Sequence, residues 1–178
     1  MAIAIMCSWM LLQICQKVDW HKARAVLFID PYAADVKWET LEAVVATRAI
    51  DVWYLFPFHA ANRLMTRSGK IDPLWEEKLN SIFGDYSWRD RFYLDDPQFN
   101  MFGTTDKIKN ASTEELKLYI EERLGTIFAK VSNNSRILFN RKSSPLFLFC
   151  FAVSNENPKA KALAMRVANY ILKDQTPN

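Results

Sequence analysis

Glycine is scarce in this chain: Gly69, Gly84, Gly103 and Gly125 are the only four in 178 residues. Their scatter leaves no room for GxGxxG or a GxxxxGK phosphate loop, so a Gly-rich nucleotide cradle is excluded within the chain. Histidine is scarcer still, and His21 and His59 fall in neither an HxxxH nor an HxxH pattern, which excludes a histidine-rich metal site. Cys7, Cys15 and Cys150 lie far apart without a CxxC, so they spell neither a disulfide framework nor a tetrahedral metal site. Reduced, buried thiols of a cytoplasmic protein are expected. No charge precedes Lys17, yet Met1 to Cys15 is too short to span a bilayer and lacks the basic start of a signal peptide. It reads as a buried helix or a misplaced start, and no membrane partner is expected. An excess of one charge is missing too: 23 Lys+Arg against 20 Asp+Glu give +3, too mild to demand nucleic acid or an anionic surface.

What is present is half hydrophobic, 24% charged and 13% aromatic, the composition of one globular domain spanning residues 1–178. Ala25-Val-Leu-Phe-Ile29 is a continuous apolar run that stops at Asp30-Pro31, the mark of a strand buried on both faces. Asp35 can cap a helix from about Val36 to Thr47, with Trp38, Leu41, Val44 and Val45 on one face. A second strand follows from Ile50 to Phe56 and is closed by Pro57, so residues 25–57 form a strand-helix-strand crossover. Asp72-Pro73 opens and Gly84 stops a helix whose Trp75, Leu79, Ile82 and Phe83 share a face. From Trp88 to Lys109 no period persists, and a long surface loop is expected. Ser112 and Glu115 form a capping box before a helix running to about Val131. Strands at 136–140 and 146–153 then flank the turn-prone Lys142-Ser-Ser-Pro145 as an antiparallel hairpin, and Asn157-Pro158 starts a last helix to about Leu172.

In an open α/β sheet ligands gather outside the carboxyl ends of parallel strands, so Asp30-Pro31-Tyr32 and Phe56-Pro57-Phe58-His59 should lie side by side there. An acid, a proline carbonyl and an aromatic ring at one strand end can accept hydrogen bonds from an amino group and stack on a planar substrate. Equally, Asp30 can merely cap the following loop. His59 could act as a base near Asp30 or serve structure alone; Arg48 and Arg63 flank the rim and could bind phosphate or belong to an ordinary surface. Trp38 and Trp53 fall on the apolar period of their elements and read as core, while Glu39 and Glu42 read as a solvated helix side. Ser143 and Ser144 lack a nucleophile-elbow glycine pattern, which argues against a hydrolase.

Longer strings carry a resemblance. Arg24-Ala-Val-Leu-Phe-Ile-Asp30-Pro31-Tyr32, Val36-Lys-Trp-Glu-Thr-Leu-Glu-Ala, Thr47-Arg-Ala-Ile-Asp-Val-Trp-Tyr-Leu-Phe-Pro57, Asn62-Arg63-Leu64 and Pro145-Leu-Phe-Leu-Phe-Cys-Phe-Ala-Val-Ser resemble the three-Cys-motif partner family of bacteria and phages. The resemblance covers roughly residues 11 to 173. It implies a Rossmann-like, S-adenosylmethionine-dependent methyltransferase fold, and a separate three-cysteine protein as genetic partner. It places Asp30-Pro31-Tyr32 at the methyltransferase motif ending the fourth strand as catalytic residues, and Pro57, His59 and Arg63, at the rim read from the strand ends, are the candidate substrate-binding residues. Ala33 stands where the family motif has glycine.

The resemblance further implies that the first three strands and the cofactor loop are absent. The expected fold is therefore α/β, the C-terminal half of a Rossmann-like methyltransferase, with a mixed sheet and a terminal antiparallel hairpin. Met1 to Met10 would be a divergent junction. S-adenosylmethionine is the implied cofactor, yet this chain alone is expected not to bind it. Three functions remain open: an inactive methyltransferase relative, one half of a split enzyme, or a module binding protein or nucleic acid. The open edge of the 25–29 strand is expected to be covered by Met1 to Cys15 or by a second copy.

Overall fold

The computed structural model describes residues 2–5, 8–30, 36–95 and 107–173. In chain order they form β1 (Ala2–Ile5), α1 (Ser8–Lys17), β2 (Ala25–Ile29), α2 (Trp38–Ala46), β3 (Ile50–Phe56), α3 (Phe58–Leu64), α4 (Pro73–Phe83) and α5 (Ser87–Phe92). There follow β4 (Tyr93–Asp95), β5 (Lys107–Lys109), α6 (Thr113–Gly125), β6 (Lys130–Val131), β7 (Arg136–Phe139), β8 (Pro145–Val153) and α7 (Pro158–Leu172).

The main sheet runs β1-β2-β3-β8, with β6 and β7 both pairing with β8. β1, β2 and β3 are parallel, in register Ile5 to Ile29 and Ile29 to Tyr54, and β8 returns antiparallel with Cys150 opposite Tyr54. The expected parallel neighbours, the antiparallel strand beside them and the hairpin at the edge are therefore all found. The β2 edge opposite β3 is occupied by β1, as the exposed backbone of an apolar strand requires. The N-terminal stretch is a strand followed by a helix rather than one buried helix: on α1 Leu11 is buried, but Trp9 and Met10 are exposed.

Local signals set three helix starts and one helix end. Asp72 accepts from the Leu74 amide at 2.9 Å, Pro73 takes the first helical position, and Gly84 closes α4 at φ 86. Ser112 and Glu115 exchange bonds of 3.1 and 2.7 Å at the start of α6. Asn157 accepts from the amides of Lys159 and Ala160 to start α7. Asp35 lies outside the described residues; α2 begins at Trp38, with Lys37 at its N-cap and no side-chain cap there.

Three expectations change. α6 ends at Gly125 rather than near Val131: Phe128 still enters the core from beyond the helix and Lys130–Val131 pairs with β8, so the apolar pattern outlasts the helix. Trp75 is 43% exposed and leaves the α4 core face to Leu79, Ile82 and Phe83. The segment from Trp88 to Lys109 is not simply a surface loop. α5 is too short to show a period, but it buries Trp88 and Phe92 completely, and β4 buries Tyr93 and pairs antiparallel with β5. Asp96-Pro97 and Gly103-Thr104-Thr105 lie outside the described residues.

One sheet face holds the main core. Leu27 and Ile29 of β2, Val52, Tyr54 and Phe56 of β3 and Leu148 and Cys150 of β8 point into it, and Leu41, Leu79, Phe83 and Leu116 pack against them from the helices. Trp38 belongs to this core as expected. Trp53 points to the opposite face and is partly buried there, stacked on Phe149 at 4.9 Å.

Candidate functional site

Because β2 and β3 are parallel and adjacent, Asp30 and Pro57 leave the same edge of the sheet, and α3 begins there. Asp30 is exposed. Pro31 and Tyr32 lie outside the described residues. Pro57 is buried and its carbonyl already accepts the Ala61 amide at 3.1 Å, so it shapes the strand-to-helix turn and has no free ring face to offer a ligand. His59 and Arg63 are four residues apart on α3, hence on one helix face, and both are exposed.

The rim is braced by the small second sheet, a contribution that the sequence pattern concealed. Lys109 of β5 donates to Asn62 Oδ1 at 2.6 Å, holding α3 beside the hairpin, and burial together with the nearby Arg67 guanidinium lowers its pKa. Tyr93 donates to the Thr66 carbonyl at 2.8 Å, and burial pushes its hydroxyl up to about 12. Arg89 pairs with Glu76 at 3.0 Å and donates to the Gly69 carbonyl at 3.2 Å. The Asn62-Arg63-Leu64 string could have pointed to this junction, but nothing in its spacing names Lys109 as the partner.

Arg48 is not at this rim. It sits between α2 and β3, at the amino end of the strands, with φ 51, and approaches Glu156 at 3.9 Å. There it borders an open cleft of about 670 Å³ shared with Cys15, Trp20, His21 and Arg24. A smaller cleft of about 290 Å³ at the same end holds Arg24, Asp51 and Asn155. Burial raises the Asp51 carboxyl, partly offset by the Ser154 amide at 3.3 Å. The error came from linear adjacency: an arginine just before a strand is a strand length from the residues after it.

The glycines do not build a cofactor cradle. Gly84 closes α4 against the Trp38 indole, Gly69 packs on the Lys107 carbonyl, Gly125 ends α6, and Gly103 lies outside the described residues. Only Met6-Cys7 separate β1 from α1, a connection without glycine. The described glycines do not fit the amide-lined turn after a parallel strand that a Rossmann-like cofactor site needs. Cys150 is buried with its thiol directed at the Tyr54 carbonyl, and burial pushes its pKa up, so it is a core residue and no nucleophile. Among the described residues no cluster of His, Cys, Asp and Glu could hold a metal ion, and no helix is long and apolar enough to cross a membrane. No family model, curated protein or solved structure matches the chain.

Proposed function

We propose that this chain is a methyltransferase-like α/β domain of the three-Cys-motif partner type that presents an acceptor-side rim but has no cofactor site of its own, and so does not transfer methyl groups alone. One observation carries the reading: Asp30 and the Pro57 turn leave adjacent parallel strands at one edge, with an antiparallel β8 beside β3. That is the strand arrangement the resemblance implies for the acceptor end of such a domain. His59 and Arg63 stand exposed on the helix that starts there, in reach of solvent and of a ligand's polar groups.

The placement of the described glycines supports the second half of the proposal, because none of Gly69, Gly84 and Gly125 follows a parallel strand, where a Rossmann-like site needs its backbone amides. S-adenosylmethionine is therefore expected to leave the melting temperature of the chain unchanged. A saturable rise in a thermal-shift titration would overturn the proposal. Calorimetric titration with adenine and cytosine nucleotides is expected to give no heat for the chain alone. A measurable affinity that Asp30→Ala weakens by about tenfold, the loss of one charged hydrogen-bond acceptor, would show instead that the rim is a working acceptor site.

A second reading, a protein-binding module, is favoured by a different observation: among the described residues α7 is the helix packed on the second face of the sheet, where parallel strands call for fuller cover.

A further inference from the structure

Positive charge is unevenly spread over the chain. The balance of 23 Lys+Arg against 20 Asp+Glu is nearly even, yet no acidic residue lies between Asp51 and Asp72, where His59, Arg63, Arg67 and Lys70 fall. The fold then brings β5, with Lys107 and Lys109, against the same stretch. The Lys109 amide donates to the Arg67 carbonyl at 2.9 Å, and its ammonium donates to Asn62 Oδ1 at 2.6 Å, next to Arg63 in the chain. α3, the loop after it and β5 therefore form one basic strip that starts at the carboxyl end of the parallel strands.

Elsewhere in the protein a carboxylate answers such cations, as Glu76 answers Arg89, Asp85 answers Arg123 and Asp95 answers Lys107. In the strip this pairing stops. Among the described residues Arg63 and Arg67 have no ion-pair or side-chain hydrogen-bond partner, and both are exposed. The Lys109 ammonium meets the neutral oxygens of Asn62 and Met65, and the charge that acts on it is the Arg67 guanidinium. The dipole of α3 accounts for one cation at the end of that helix. It does not account for Arg67, a second cation beyond the helix and beside the first. Two like charges held together without a counter-ion work against folding, and an arriving anion relieves them.

The layout of the strip and its neighbour Asp30 choose the anion. Arg63, Arg67 and Lys109 are spread over a helix, a loop and a strand, and none of them borders the two clefts at the other end of the sheet. They suit an extended row of charges rather than one enclosed phosphate. The seven residues of α3 rise about 10 Å, the length of about three nucleotides in a stacked strand. Asp30 stands exposed at the edge where α3 begins. To a chain of carboxylates it offers only repulsion, whereas the bases of a nucleic acid carry amino groups whose hydrogen bonds it can accept.

We propose that the strip formed by Arg63, Arg67 and Lys109 binds the phosphodiester backbone of a nucleic acid and leads it along α3 toward the rim at Asp30. Contacts of this kind position a strand without reading its sequence. The strip goes beyond the methyltransferase-like reading and stands without it. A single nucleotide reaches only part of the strip, in keeping with the absence of heat expected for nucleotides.

The probe is a fluorescein-labelled single-stranded DNA of about 12 nucleotides and mixed sequence, followed by anisotropy with the intact chain between about 50 and 200 mM salt. Three phosphate contacts should make log K fall against log salt with a slope of about −2. Arg63→Glu and Arg67→Glu should each weaken binding at least about tenfold at the lowest salt, and Arg67→Ala should make the slope shallower by about 0.7. Both arginines are exposed and free of side-chain partners among the described residues, so the variants are expected to keep the wild-type circular dichroism and melting temperature. Arg166→Glu on α7, across the sheet from α3, is the control and should change the affinity less than about twofold. RNA and duplex DNA of the same length show which nucleic acid the strip prefers, and binding of any of the three that both arginine substitutions weaken supports the proposal. No binding of any of them overturns it, as does binding that Arg166→Glu weakens as much as Arg63→Glu. Displacement of the DNA by polyglutamate at equal charge would assign the strip to an acidic protein, and sedimentation with phosphatidylserine vesicles that Arg67→Glu abolishes would assign it to a membrane surface; either result overturns it. The thermal-shift titration with S-adenosylmethionine tests the methyltransferase-like reading separately, so the failure of one is distinct from the failure of the other.

Discussion

The two faces of the main sheet are built from the same strands yet behave as different surfaces. On one, residues such as Leu27, Val52, Leu148 and Cys150 are almost completely buried under α2, α4 and α6. On the other, Phe28, Trp53 and Leu55 are only partly buried, and α7 is the one helix there among the described residues. The first face is locked by directional contacts. Arg123 of α6 donates to the Phe83 carbonyl at 3.0 Å, pairs with Asp85 at 3.0 Å and lies over the Trp38 indole at 4.8 Å, tying α2, α4 and α6 into one layer. The second face relies on ring packing, with Trp53 between Phe149 and Phe151. Among the described residues the first face is closed and the second is the less protected of the two.

The sharpest way to break the closed face is Gly84→Ala. Gly84 has φ 86, and a Cβ there would overlap the Trp38 ring. Left-handed strain and overpacking together are expected to cost about 3 kcal/mol or more, read as a lower urea midpoint with an unchanged slope. Leu27→Ala should cost about 2–4 kcal/mol, since a fully buried leucine leaves a cavity that a sheet cannot collapse. Arg123→Ala comes next, at about 2 kcal/mol, from a lost charged hydrogen bond and a lost cation–ring contact.

How far the sequence revealed this depends on what kind of contact decided each element. Apolar runs bounded by Asp30-Pro31 and Pro57 marked β2 and β3, and Asp72-Pro73, Ser112/Glu115 and Asn157-Pro158 marked three helix starts, because all of these are set by neighbours in the chain. The α5–β4–β5 unit was hidden. Trp88, Phe92 and Tyr93 are buried by contacts with distant residues such as Asn80, Thr66 and Tyr119, which leave no local period. At the candidate site the common rim of Asp30 and Pro57 was legible because parallel strands impose it. Arg48 was misplaced, and the commitment of the Pro57 carbonyl to Ala61 could not be read from residue identity. The asymmetry of the two faces was equally illegible: an apolar run says that both faces avoid water but not which helix covers each.

Ionisation separates stabilising from destabilising groups within the closed face. Burial would raise the Asp85 carboxyl, but the Ser87 hydroxyl and amide and the Arg123 guanidinium outweigh it and hold its pKa below the ordinary 3.8. Its contribution is therefore complete above that value and disappears as pH falls through the depressed one. Glu121 shows the opposite behaviour. One of its carboxylate oxygens is buried without a partner, and burial raises its pKa above 4.5 despite Ser135 and Lys117. The folded state binds this proton more tightly than the unfolded chain, so the charged form subtracts stability above the raised pKa, and the loss is relieved as pH falls toward 4.5. Glu121→Gln should stabilise the protein at pH 7 by up to about 1 kcal/mol, discounted for the water that reaches the side chain. The gain should vanish in thermal melts below pH 4.5; an equal gain at both pH values would remove the ionic explanation.

The smallest expected effect tests the comparison most directly. Val26 and Leu27 are consecutive residues of β2, with the same backbone pairing to β1 and β3, and alternation alone sends them to opposite faces. Val26→Thr keeps the β-branched shape and strand propensity and replaces one methyl group by a hydroxyl. At a position 42% open to solvent that hydroxyl stays hydrated, so the change should cost no more than about 0.5 kcal/mol in the isolated chain. The ratio between the two substitutions thus measures how closed each face is in solution. A loss at Val26 approaching that at Leu27 would mean that the second face is already covered in the isolated protein, and the contrast between the two faces would then fall. A loss confined to Leu27 supports the contrast, with one face of the sheet supplying the stability that allows Val26 on the other to stay 42% exposed.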